Sequence, residues 1–391
     1  MYRYIIMCSF IFFGSPYIYN NDKYDMNLYT GVSYEEESEE EIYEDIYKEL
    51  DIEEIEKELN AKDIDIGMDF SQVVREISQG NIENVIQVFK KSAGNILTGE
   101  LSENRKLMIQ LISIVLLGSI FMHISGSFGN GFIGENGFYV TYLIITSILL
   151  VSFSIALDVV SSALEVILTL IRVIVPVYAV AMNFVGHSSV SMSMYNLIML
   201  GVWVVQAVIL KFIVPMIKFY VTLSFVNNLN KEENFSKLCQ LIKSAVSWLL
   251  KTIVIFVVGL NIIKSLIDPQ IDALGRNTVN KVISSFPGGG MMSVLTGTFL
   301  GAGMIIKNSI GIAGIIILGL VVLFPVLKTF LIMLTVKLVA AMVQPVAEKR
   351  YVTGIETLSQ GIGLLLQALG SSVVLFVLTL AIMAFASNGG G

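Results

Sequence analysis

The length of its nearly uncharged apolar runs constrains this chain more than any other feature. "LMIQLISIVLLGSIFMHIS" (107–125), "FYVTYLIITSILLVSFSIAL" (138–157), "LLKTIVIFVVGLNIIKSLI" (249–267) and "LLLQALGSSVVLFVLTLAIMAFA" (364–386) can each cross about 30 Å of hydrocarbon as a helix. Two larger apolar blocks, 166–226 and 291–345, lie between them, and both contain proline and lysine. Lipid offers no partners for backbone N–H and C=O groups, so a spanning segment must bond to itself. The expected class is therefore all-α, a polytopic helical membrane protein. Composition agrees: 54% of residues are hydrophobic and 15% charged, against about 25% charged in soluble domains.

The net charge of −7 argues against nucleic acid, which needs clustered Lys and Arg. The acidity is concentrated in a run from Glu35 to Glu58, opposed only by Lys48 and Lys57. Residues 1–19 join one early positive charge, Arg3, to an apolar core from Tyr4 to Phe13 that is too short to span. A signal peptide is the favoured reading, with an uncleaved anchor as the alternative. Residues 20–105 then form a polar, acidic extracytoplasmic region with helical patterning. "DFSQVVREISQGNIENVIQVFKKSAG" (69–94) reads as two short amphipathic helices broken at Gly80-Asn81. Residues 106–391 form the polytopic transmembrane domain.

Within that domain landmarks recur at an offset of about 110 residues. Asp158 matches Asp268, Ala163-Leu164 matches Ala273-Leu274, and "PMIK" (215–218) matches "PVLK" (325–328). Arg172 precedes Pro176 much as Lys281 precedes Pro287. Repeat copies at about 138–248 and 249–365, with a closing span at 364–386, are the expected organisation. Loops 227–243 and 346–352 carry Lys231, Lys237, Lys243, Lys349 and Arg350, so the positive-inside bias puts both in the cytoplasm. Equivalent landmarks on one side imply parallel repeats. The acidic region then lies outside, Arg105-Lys106 fall on the disfavoured side, and the spans number six, eight or ten.

No enzyme constellation is present. His123 and His187 have no metal-ligand spacing, Cys8 and Cys239 make no disulfide framework, and no GxxxxGK[ST] loop occurs. No cofactor or metal is expected. The charges within apolar sequence are more informative. Asp158, Glu165 and Arg172 are spaced seven apart and share one helix face. Charges at such depth face protein or a water-filled path, or else residues 158–174 lie along the outer interface with their charges in headgroups. The second copy favours an interfacial or re-entrant reading, because Asp268, Asp272, Arg276 and Lys281 are too many for a span. Pro287 with Gly288, Gly289 and Gly290 then serve as a hinge. Gly297 and Gly301 form a GxxxG, which suits helix packing within the chain or a homo-oligomeric interface. Lys307, Lys328 and Lys337 interrupt apolar sequence and either snorkel or line a path.

Taken together, the signal-like start, the acidic region, the first span near residue 107, "IDALGRNTVNKVISSFPGGGMMSVLTGTFLG" (271–301), the "PVLK" helix and "QPVAEKR" (344–350) resemble the stage III sporulation protein AE family of endospore-forming Firmicutes. The resemblance implies a non-enzymatic membrane subunit in a channel complex that the mother cell builds around the forespore. It further implies a place in the mother-cell membrane around the forespore. The implied partners are the other stage III sporulation proteins of the same operon, an ATPase subunit among them, a forespore-side channel protein and membrane lipid. It brings no catalytic residues. The competing reading is a stand-alone secondary transporter using Asp158, Glu165 and Arg172. The topology is testable in a variant with Cys8 and Cys239 replaced by serine. A cysteine placed at Asn60 labels with impermeant maleimide from outside, and one at Lys349 does not; the reverse pattern overturns the assignment.

Overall fold

The computed structural model describes residues 70–78, 82–127, 131–184, 200–201, 203–229, 234–256, 259 and 289–388, all within one compact unit, Glu39–Gly391. The expectations placed on 1–69, on His187 and on 260–288 lie outside these residues. No strand occurs among the described residues. A short amphipathic helix α1 (Phe70–Ser78) precedes α2 (Ile82–Ser127) and α3 (Gly131–Phe184). Then come α4 (Trp203–Leu229), α5 (Ser236–Phe256), α6 (Gly289–Val343) and α7 (Lys349–Asn388). Six segments among the described residues, one in each of α2 to α7, are long and apolar enough to cross a membrane.

The helices are longer than the apolar runs suggest. Gly80-Asn81, where a break is expected, lie outside the described residues, and α2 continues from Ile82 without interruption into the first span. Residues 158–174 are not a separate interfacial element: they extend α3, which is 54 residues long, or about 80 Å at 1.5 Å per residue. The block 291–345 is a single helix of 55 residues whose first two residues are Gly289 and Gly290. Of the span expected at 249–267, residues 249–256 fall within the spanning helix Ser236–Phe256, and the rest, apart from 259, lies outside the described residues. The amphipathic stretch before the closing span is fused with it in α7, whose spanning part is Lys349–Ala381.

Spacing explains why α3 is continuous. Tyr142, Leu149, Ala156, Ala163, Leu170 and Val177 recur every seven residues, and so do Val160, Ile167, Ile174 and Ala181; all are buried. A strict heptad keeps one seam facing the neighbouring helices over many turns. Asp158, Glu165 and Arg172 fall at a third heptad position, away from that seam, and all three are exposed. Pro176 sits inside this helix and Pro325 inside α6. In α4 the proline leaves a visible mark. Pro215 has no N–H and its ring crowds the carbonyl of Lys211, and the chain widens into a π turn over Ile209–Ile213, where Val214 N–H bonds to Ile209 O.

Between apolar helices in lipid, burial of apolar surface supplies little drive, so small residues and polar contacts carry the association. Gly311 packs under the Tyr178 ring, and Gly314 meets Ile174 of α3 and Leu380 of α7. Gly118 lets α2 approach Thr141 and Tyr351, and Gly361 lets α7 approach Val221 of α4. Hydrogen bonds lace α7 to its neighbours. Asn228 Nδ2 donates to Thr357 Oγ1 at 3.1 Å, and Tyr220 OH and Lys243 Nζ both donate to Gln360 Oε1, at 2.9 and 3.0 Å. Gln206 Nε2 donates to Leu164 O at 2.6 Å, tying α4 to α3.

A leucine at position 361 must displace Val221, whereas Gly370 has open space beside it. Gly361→Leu should destabilise the solubilised protein by about 1–3 kcal/mol through overpacking, while Gly370→Leu stays within about 0.5 kcal/mol. Thermal melts in detergent compare the two, and equal midpoints would contradict the close α4–α7 contact.

Candidate functional site

Two polar levels interrupt the bundle. The first is at the end where α2 meets α3, α4 meets α5 and α6 meets α7. There Arg350, one residue into α7, stacks its guanidinium 3.5 Å from the centroid of the Phe138 ring. It also pairs with Glu348 at 2.5 Å and reaches Glu135 of α3 at 3.9 Å. A cation over an aromatic face is stabilised by the ring quadrupole, and here the ring belongs to a cluster. Phe138 stacks on Tyr142 and tilts against Tyr351. The Tyr142 hydroxyl donates to Phe225 O at 3.0 Å, bringing the end of α4 to the same level. The structure thus gathers the start of α3, the end of α4 and the link from α6 to α7 at one end.

The second level is formed by α2, α3 and α6. Glu100 of α2 pairs with Lys328 of α6 at 2.9 Å, and their side chains are only 9% and 18% exposed. Asn104, one turn on, donates to the Glu100 backbone carbonyl at 2.9 Å. Lys328 Nζ also lies 5.4 Å from the Phe324 ring centroid. About 20 residues of α3 separate Glu135 from Ile155 beside this pair, which at 1.5 Å per residue is about 30 Å. Between the levels the outward faces of α2 and α3 are largely apolar, with Leu117 67% exposed, Leu143 56% and Val151 62%, while Lys211 and Lys218 of α4 and Lys337 of α6 are exposed there as well.

A cavity of about 430 Å³ opens beside the pair. Leu107, Ile148, Val151, Ile155 and Ile332 give it apolar walls, and Asn104, Gln110, Ser147 and Ser152 add polar points. The two serine hydroxyls donate back to carbonyls one turn earlier, Leu143 O and Ile148 O, so each offers mainly acceptor character to a guest. The arrangement suits binding. It contains no nucleophile beside a base, and among the described residues no His, Cys, Asp and Glu group is placed to hold a metal.

Of the residues singled out from sequence, Lys328 joins this site; Lys337 is exposed on α6. Asp158, Glu165 and Arg172 stand on the outward face of α3 and do not line this cavity. Pro176 lies within α3, and Gly297 and Gly301 lie within α6. Asp268, Arg276, Lys281, Pro287 and Gly288 are outside the described residues. Sequence reasoning missed Glu100, which falls in a stretch read as extracytoplasmic. Its partner is 228 positions away, and nothing local announces such a pairing.

A family model described as stage III sporulation protein AE matches residues 68–387. Stage III sporulation protein AE of Bacillus subtilis (strain 168) is 22% identical over 335 residues, covering 83% of this chain and 84% of that protein. No solved structure matches the chain.

Removing one partner of a shielded ion pair strands the other charge, which costs roughly 3–5 kcal/mol when burial is complete. Because Lys328 retains some exposure, Lys328→Met should fall at or below the lower end of that range. The double variant Glu100→Gln, Lys328→Met should regain most of the loss. Thermal unfolding of both proteins in one detergent gives the comparison; a double variant no better than the single removes the pairing.

Proposed function

Since the chain belongs to the stage III sporulation protein AE family, we propose that it is a non-enzymatic membrane subunit of the channel or export complex linking mother cell and forespore during endospore development. A role in sporulation follows from the family, and a multi-pass membrane protein follows from the apolar helices.

The observation that carries the mechanism is the separation of the two polar levels, which matches the hydrocarbon thickness of about 30 Å. On this reading the bilayer occupies the slab between Arg350 and the Glu100–Lys328 pair. Lys237, Lys349 and Arg350 put the first level in the mother-cell cytoplasm by the positive-inside bias. Residues 20–105 then lie outside. Arg105 and Lys106, both exposed, sit just inside the outer boundary, and their long side chains snorkel to the headgroups.

Beyond the slab, α3 and α6 continue outward as a stalk. Its flanks support an extracytoplasmic position: α1 packs on α6 with Val73 and Val74 inward and Arg75 outward, and α3 displays Asp158, Glu165 and Arg172. The apolar core of α6 there is enclosed, with Ile310, Ala313, Ile317 and Val322 buried. The stalk is the part that meets the other subunits of the operon and the forespore-side channel protein. The cytoplasmic loops meet the ATPase subunit, and a second copy of the chain is a further candidate neighbour. The transporter reading needs Asp158, Glu165 and Arg172 on a pathway, and their outward positions lend it no support.

Affinity purification of the membrane complex from sporulating cells is expected to recover the other stage III proteins of the operon, and deletion of the gene is expected to block spore formation. Recovery of this protein alone, together with normal spore yield in the deletion strain, sinks the proposal.

A further inference from the structure

We propose that the cavity beside Glu100 and Lys328 is a binding site for one phospholipid of the outer leaflet. Its acyl chain follows the apolar wall and its phosphate sits at the charged end. The inference rests on the membrane placement given above.

Position is the first argument. On that placement the cavity lies within the outer half of the slab and opens sideways, because Val151 and Ile155 on its rim are 62% and 45% exposed. On that placement the rim at Val151 and Ile155 faces lipid, so a lipid can enter from the side. The second argument is layout. Inward of the charged pair at the outer boundary the walls are apolar at Leu107, Ile148 and Ile332, with the polar Gln110 and Ser147 at the deep end. A charged end outermost with a mainly apolar wall below it is the order of a phospholipid. The volume, about 430 Å³, lies in the usual range of roughly 300–1,000 Å³ for a ligand cavity.

Charge supplies the third argument. Glu100 and Lys328 neutralise each other, so the attraction for an anion must come from nearby. Lys106 is exposed and stands one turn from Gln110, which lines the cavity, so the two share a face of α2. Side chains on a helix lean toward its N-terminus, and the N-terminus of α2 points outward on this placement. The Lys106 ammonium is therefore carried toward the charged end, where the phosphate lies.

The test uses the full-length protein in vesicles of phosphatidylglycerol and phosphatidylethanolamine containing some diacylglycerol. A photoreactive p-benzoylphenylalanine is placed at Ile155, beside the cavity, or at Leu117, which is 67% exposed on the same slab away from it. After illumination, adducts are identified by mass spectrometry. The expected result is several-fold more phospholipid adduct at 155 than at 117, with diacylglycerol under-represented at 155. Lys106→Gln, an exposed change that leaves the fold intact, should reduce the excess several-fold. Equal phospholipid yields at the two positions mean bulk lipid only and overturn the site. A peptide adduct at 155, from this chain or another protein, overturns it in favour of a protein occupant. If position 117 captures no lipid at all, the membrane placement itself is wrong and the site falls with it.

Discussion

A hydrocarbon interior accepts no unpaired N–H or C=O, and most of this structure follows from that prohibition. Each crossing segment must be helical through the slab, and nothing requires the helix to stop at the boundary. In α3 it does not stop: the same helix carries an apolar outer surface over one stretch and exposed charges over the next. Because lipid removes the hydrophobic incentive for helices to associate, cohesion has to come from closeness and from polar contacts. Gly118, Gly314 and Gly361 supply the first, and Gln206, Asn228 and Gln360 supply the second.

The same prohibition gives the charged residues their meaning. At the first level the Arg350 guanidinium is held by carboxylates and an aromatic face together. At the far level a lysine in apolar sequence is neutralised by a glutamate from another helix. These two arrangements lie about one hydrocarbon thickness apart, which ties side-chain chemistry to the position of the bilayer.

Much of the fold was legible in sequence because it rests on period and length. The apolar runs announce the helices, and the seven-residue spacing of Asp158, Glu165 and Arg172 announces that they share one helix face; that all three are exposed was not legible from the spacing. Element boundaries were less legible. Nothing in the local chemistry near Asp158 stops a helix, so a change from apolar to charged sequence looked like an end and was only a change of surroundings. The site was hidden for a different reason. Lys328 is conspicuous in its own segment, but Glu100 is one acid among several in a polar stretch, and only the packing of α2 on α6 joins them.

The continuity of α3 has a mechanical consequence. A helix continuous from Gly131 to Phe184 is a rod about 80 Å long, and from Gly131 to the turn before Pro176 nothing in it supplies a joint. A tilt of only a few degrees at the Arg350 end becomes a lateral shift of several ångström at Phe184, by the geometry of a rod of that length. A displacement at the Arg350 end is thereby felt at the opposite end without any rearrangement within the helix itself.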